Sequence, residues 1–272
     1  MDHLVTPDST RIPVEVRGEG PPVVLCHGTP WSSATWRPVA DALAADHTVH
    51  TWDMPGYGAT TADPPSPVDL ASQSARFAWL MRRLGLDDGR TTVVAHDIGG
   101  AVALGAHLRH DLSWTRLVLV DAVVRRPWGS DLYRLVQEHH EVFGALPAPM
   151  HRALLREYVS GALAPAGPDA GTPDGLVDEL CAPWLGAAGQ AAFYRQIHQV
   201  RHADTDVLES LLSRVAGEVD LVWGAEDTWL PLEQGRALAE VLGAPLRVVP
   251  GAGHLVPLER PDAVVDVVRR VP

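Results

Sequence analysis

Three side chains of this sequence have the types and the chain order of a nucleophile, an acid and a base: Asp97, Asp227 and His254. Asp97 follows the apolar run TTVVAH at 91–96 and precedes IGGAVAL, so a charged residue stands on the turn between an expected strand and an expected helix. Ala95 and Gly99 flank it, as a sharp elbow requires where backbone closely approaches its neighbours. A carboxylate in such a place can attack carbon directly. With a reference pKa of about 4 it is ionised at neutral pH and, unlike a serine hydroxyl, needs no base to become nucleophilic. It suits an sp3 carbon, on which it would form an ester for a histidine-activated water to cleave. Attack on a carboxylic ester would give an intermediate whose best leaving group is the aspartate itself, which disfavours ordinary esterase chemistry. Plainer roles compete: Asp is a common helix N-cap at such a turn, and His254 can be a loop histidine.

Residues so far apart in sequence need a scaffold that gathers them. Apolar runs at 21–26 (PPVVLC), 91–96, 115–121 (TRLVLVD), 219–224 (VDLVWG) and 246–251 (LRVVPG) alternate with longer segments of helical period, such as 34–46 and 70–86. That alternation predicts a mostly parallel sheet with helices on both faces, entered by an antiparallel hairpin from 3–7 and 11–18. In such sheets ligands sit at the carboxyl ends of the strands. The four informative positions there are His27-Gly28-Thr29-Pro30, Asp97 with its neighbours, Asp227 and His254. From 125 to 215 the pattern turns helical, with LYRLVQEHHEVFGAL, MHRALLREYVSGAL and QAAFYRQIHQVRH separated by joints such as APAGPDAGTPDG at 164–175. We therefore expect a core of 1–124 and 216–272 interrupted by a helical lid over 125–215.

Composition removes several function classes. All 22 basic residues are arginine, so no Schiff-base, P-loop or kinase-type lysine exists. A net charge of −12 without runs of like charge points away from nucleic acid and anionic membranes. Cys26 and Cys181 are too few for a disulfide framework, and no long apolar segment or signal-peptide profile is visible. The expectation is a cytoplasmic protein, a monomer or dimer, acting on a small apolar or amphipathic organic substrate and water. No cofactor is expected. His198 and His202 lie four apart on an expected helix, but without an HExxH base or third ligand no metal site is expected either.

The ordered motifs HGTP (27–30), DMPGYG (53–58), HDIGG (96–100), GAEDTWLP (224–231) and GAGHLVPLERP (251–261) span nearly the whole chain. In these the sequence resembles the α/β-hydrolase fold family, and within it the aspartate-nucleophile branch of epoxide hydrolases and haloalkane dehalogenases. The resemblance implies attack by Asp97 on an epoxide or a carbon–halogen bond, and hydrolysis by His254 oriented by Asp227. It assigns the oxyanion hole to the N–H groups of Thr29 and Ile98, with His27, Gly28, Pro30 and Gly99 as supporting motif residues. Some dehalogenases carry the acid after the preceding strand, where this chain has Asp121.

The electrophile follows from departures within that resemblance. Haloalkane dehalogenases hold halide with a Trp after the nucleophile and a lid Trp or an HGNP asparagine; here Ile98 and Thr29 fill the two core places, and the chain has no Asn. Fluoroacetate dehalogenases bind the substrate carboxylate through arginines where this chain has Ile98 and Ala101. Epoxide hydrolases donate to the ring oxygen from lid tyrosines, and Tyr194 in AFYRQI matches one of them, with His140 near the place of the other. A phenol of reference pKa about 10 keeps its proton until an alkoxide needs it. Each has a plain alternative, a packing aromatic for Tyr194 and a surface histidine beside His139 for His140. Trp31, Trp128 and Trp184 are candidates to line an apolar pocket. The expected activity is epoxide opening, with dehalogenation as runner-up and a non-catalytic ligand-binding protein on the same fold as the reading outside catalysis.

Overall fold

A computed structural model describes residues 2–63, 66–165 and 174–270. Its strands are β1 (Asp2–Val5), β2 (Arg11–Arg17), β3 (Pro22–Cys26), β4 (Thr48–Trp52), β5 (Thr92–His96), β6 (Arg116–Val120), β7 (Glu218–Gly224) and β8 (Leu246–Val249). They form one sheet in the order β1-β2-β4-β3-β5-β6-β7-β8. The β1–β2 and β2–β4 pairs are antiparallel and all other pairs are parallel. This is the mostly parallel, doubly covered sheet expected from the alternation, hairpin included, and the α/β-hydrolase fold that the motif resemblance implied. The central strands are near-continuous apolar runs because both faces are covered; every residue of β6 is buried.

The helices of the core are α1 (Arg37–Leu43), α2 (Leu70–Arg83) and α3 (Ile98–His110) before the insertion. The inserted helices are α4 (Asp131–Gly144), α5 (Ala148–Ser160), α6 (Asp174–Cys181), α7 (Gly186–Gln199) and α8 (His202–Glu209). The core resumes with α9 (Leu232–Leu242), α10 (Val256–Glu259) and α11 (Pro261–Arg269). One face of the sheet packs Phe77, Met81 and the alanines of α3, and the other packs Trp36, Leu43, Val264 and Val268. All five inserted helices fall between β6 and β7, and most of the Pro/Gly joint at 164–175 lies outside the described residues. Among the described residues no helix is long and apolar enough to cross a membrane.

Register decides what meets at the strand ends. Cys26 pairs with Ala95 and His96 with Val120, so the segments after β3, β5 and β6 emerge side by side. Asp53, after β4, accepts hydrogen bonds from Ser33 N (2.8 Å) and Ala59 N (2.9 Å). The motif DMPGYG thereby ties down the loop that follows β3.

Candidate active site

Asp97 occupies the elbow at φ 54° and ψ −128°, a left-handed conformation that costs a non-glycine residue about 1–3 kcal/mol. Its carboxylate caps no N–H of α3. Instead Oδ1 accepts from the backbone N–H of Thr29 at 2.7 Å, while Oδ2 lies 3.3 Å from His254 Nε2. The turn is possible because of glycine: a Cβ on Gly28 would sit 2.3 Å from Asp97 Cβ, and one on Gly99 would sit 2.5 Å from the His27 carbonyl oxygen.

His254 is fully buried and its Nδ1–H donates to Asp227 Oδ2 at 2.8 Å. Asp227 is fixed in turn, its Oδ1 accepting from Trp229 N (2.8 Å) and Leu230 N (2.9 Å). Nε2 makes no hydrogen bond among the described residues and lies beside Asp97 Oδ2. Burial opposes a charge on His254, but Asp227 and then Asp97 outweigh it and hold its pKa well above the usual imidazole range. The carboxylate hydrogen-bonded to His254 is therefore that of Asp227. Asp121, at the end of β6, accepts from Gly224 N at 2.8 Å and leaves Oδ2 buried without a partner; burial, then the charge of Asp227, push its pKa well up.

Two further histidines hold the frame and stay neutral. Burial, and then the charge of His254, lower His96 to about 4; its Nε2–H donates to the His254 carbonyl at 2.8 Å. Burial also lowers His27, whose Nε2 accepts from Met54 N (2.9 Å) while its Nδ1–H donates to Gly28 O (2.8 Å). Ile98 is the first residue of α3, so its N–H is one of those that no helical carbonyl takes.

A cavity of about 250 Å³ opens over Asp97, Thr29 and Ile98. Its walls include Trp128, Tyr133, Tyr158 and Trp229, and Asp97 is its only charged side chain among the described residues. Tyr133 and Tyr158 were not singled out from sequence, and both have pKa values raised by burial and then by nearby charge, Asp97 included. The Tyr158 hydroxyl makes no hydrogen bond among the described residues. That of Tyr133 has only a 3.5 Å contact to Val200 O. Trp229 was also missed; its ring lies 5.0 Å from that of His254 and 4.5 Å from that of Tyr158. The available signal was its place two residues after the acid.

Other expected contacts are not brought to this cavity. The Tyr194 hydroxyl meets His151 Nδ1 at 3.0 Å, and His151 Nε2–H donates to Trp184 O at 2.9 Å, so that phenol is spent inside the insertion. His140 stacks on His198 at 3.6 Å between centroids, away from Asp97. Trp31 and Trp184 line a separate cavity of about 300 Å³ beside Arg37; Trp31 stacks on the outer side of Trp229 at 5.7 Å, and Trp184 Nε1–H donates to Pro30 O at 2.7 Å. His198 and His202 bind separate carbonyls, of Gln137 and Trp128, and share no ligand. No group of three or more potential metal-binding side chains occurs among the described residues.

A doubly covered, mostly parallel sheet that carries Asp97 after β5, Asp227 after β7 and His254 after β8 has the architecture of a hydrolase of α/β type. The chain belongs to the alpha/beta hydrolase family, which it matches over residues 23–267. A solved α/β-hydrolase-fold protein from Burkholderia ambifaria superposes with a TM-score of 0.91 at 40% identity, over 98% of this chain and 96% of that one. A fluoroacetate dehalogenase from Burkholderia sp. is 33% identical over 54% of this chain and 50% of its own length. A soluble epoxide hydrolase from Corynebacterium sp. is 34% identical over 44% of this chain and 41% of its own.

Proposed function

We propose that this hydrolase opens a small, neutral epoxide to a diol through an ester on Asp97. The observation that carries the reading is the division of labour between the two oxygens of Asp97, a residue that lines the cavity. Oδ1 already sits on the Thr29 N–H, where an oxyanion would form, and Oδ2 lies beside His254 Nε2. Attack by Oδ2 on an epoxide carbon breaks the C–O bond, and Tyr158 or Tyr133 supplies the proton to the departing oxygen. The ester carbonyl is then Cγ=Oδ1. Alkylation removes the charge of Asp97, and with it part of what keeps His254 protonated. His254 gives up its proton, by way of water, to the tyrosinate left by ring opening; the neutral imidazole then takes a proton from the water attacking Cγ, and the oxyanion on Oδ1 is met by the N–H groups of Thr29 and Ile98, each such donor being worth roughly 3–4 kcal/mol. Collapse expels the diol oxygen, which receives the proton from His254, and the carboxyl of Asp97 ionises, its proton returning to His254 to restore the starting state.

In this reading the inserted helices act as a lid over residues 125–215. The test is to replace His254 with Gln, incubate with styrene oxide and with 1-bromobutane, and weigh the protein and its peptides. An adduct of epoxide mass on the peptide containing Asp97 supports the proposal; turnover by the wild type with no adduct in the variant refutes it.

Dehalogenation by the same ester is the second reading, favoured by the partial identity with a fluoroacetate dehalogenase. Against it, no arginine lines the cavity among the described residues, and the indole N–H of Trp128 is engaged by Thr205 Oγ1 at 2.9 Å. Halide release separates the two. Tight binding without turnover would favour a ligand-binding protein.

A further inference from the structure

The inserted helices touch the oxyanion loop at two consecutive residues. Trp184 Nε1–H donates to Pro30 O, and Gln196, on α7 and 1% exposed, accepts at Oε1 from Thr29 Oγ1 (2.5 Å) and from the Tyr57 hydroxyl (3.2 Å). Thr29 is thus held from both ends, its hydroxyl by α7 and its N–H on Asp97 Oδ1. The Gln196 Nε2 group is buried and has no partner. An apolar residue of that length would avoid burying this amide but would leave two buried hydroxyls without their acceptor, so the glutamine's net contribution to stability is small and its placement on Thr29 is the feature to explain.

We infer that Gln196 is a positioning residue which, from the inserted helix, sets the Thr29 oxyanion donor on Asp97. The inference rests on the ester reading of Asp97 and assigns Gln196 to one half of that reaction. During alkylation Oδ1 passes from carboxylate to carbonyl and needs its donor less; during hydrolysis it becomes a full oxyanion and needs it most. Loosening Thr29 therefore slows ester cleavage more than ester formation. In a two-step covalent reaction this lowers kcat and KM together and leaves kcat/KM nearly unchanged.

The experiment uses Gln196→Leu and, as a second packing solution, Gln196→Met. With styrene oxide we expect kcat and KM to fall about tenfold together, since small misplacements of catalytic groups cost one to two orders of magnitude. The alkyl-enzyme should accumulate in mass spectra of quenched turnover, and the melting temperature should change little, the amide no longer buried offsetting the two hydroxyls left without their acceptor. Thr29→Val should add nothing on top of Gln196→Leu. A readout without substrate is the Thr29 amide proton, expected to move upfield in both variants as its bond to Asp97 weakens. An unmoved amide, an unchanged fraction of ester, or a loss of kcat that tracks a lowered melting temperature overturns the inference while the ester reading stands. Absence of any adduct in the His254→Gln variant, with the wild type turning over, overturns both.

Discussion

The chemistry rests on how one charge sets another. Asp227 and Asp97 together raise the His254 pKa against its burial, so neutralising Asp97 should lower it. Asp97→Asn imitates that neutralisation, and we expect the His254 pKa to fall in the variant when imidazole nitrogens are followed by NMR titration. Turnover should drop by about three orders of magnitude or more, as when a member of a catalytic unit is removed. An unchanged His254 titration would show that Asp97 does not govern the base. The tyrosines give a second contrast. Tyr158→Phe should cost about 10²-fold in kcat/KM for an epoxide, the scale of a lost general acid. Tyr194→Phe should leave turnover nearly intact and lower stability by about 1 kcal/mol through its bond to His151. If the two variants behaved the other way round in rate assays, the proton donor would be Tyr194.

At the scale of elements, the elbow between β5 and α3 and the loop after β3 must approach so closely that side chains are excluded. Gly28→Ala places a methyl 2.3 Å from Asp97 Cβ and 2.5 Å from its Oδ1, which no rotamer of Asp97 relieves; it should push the carboxylate off Thr29 N, lower kcat about 10²-fold and lower the melting temperature as well. Gly99→Ala instead meets the carbonyls of His27 and Cys26, which cannot yield, so it should lower stability by about 1–3 kcal/mol. Thermal melts and steady-state rates on both variants check this; a Gly28→Ala enzyme of full activity would show that the close approach is not needed. Such elements were legible because their signals are local: apolar runs gave the strands, and Asp97, Asp227 and His254 each follow one. The inserted helices were legible as helices but not in their facing. AFYRQI marked Tyr194, yet which side of α7 meets the cavity depends on how α4, α5 and α7 pack together. That packing sends Tyr194 to His151 and brings Tyr133 and Tyr158 over Asp97. Gln196 carried no signal, because its partners Thr29 and Tyr57 are distant in sequence.

Across the whole molecule, buried titrations and net charge set the working conditions. His254 and Asp121 both have folded pKa values raised above their unfolded ones. The folded state therefore binds more protons than the unfolded chain between those values, and stability declines as pH rises through that window. His254 contributes fully below about pH 6.5 and loses its contribution as pH climbs through its raised pKa. Asp121→Asn keeps an acceptor for Gly224 N and removes the cost of ionising a buried acid. Its stability gain over the wild type, measured by urea unfolding, should widen from pH 5 to pH 8; a constant difference would place the charge of Asp121 elsewhere. The same field selects substrates. The protein carries −12 overall and the cavity over Asp97 holds no cation among the described residues. A substrate carboxylate held ~5 Å from Asp97 would meet about 3 kcal/mol of repulsion at an effective dielectric of ~20, roughly a hundredfold in rate. Styrene oxide should therefore exceed a phenylglycidate anion by about that factor in kcat/KM. The preference should weaken only in part at high salt, because Asp97 is buried and buried charges are screened less than exposed ones. A preference for the anion would mean that an arginine reaches the cavity in the working enzyme, and would move the substrate class from neutral epoxides to acids.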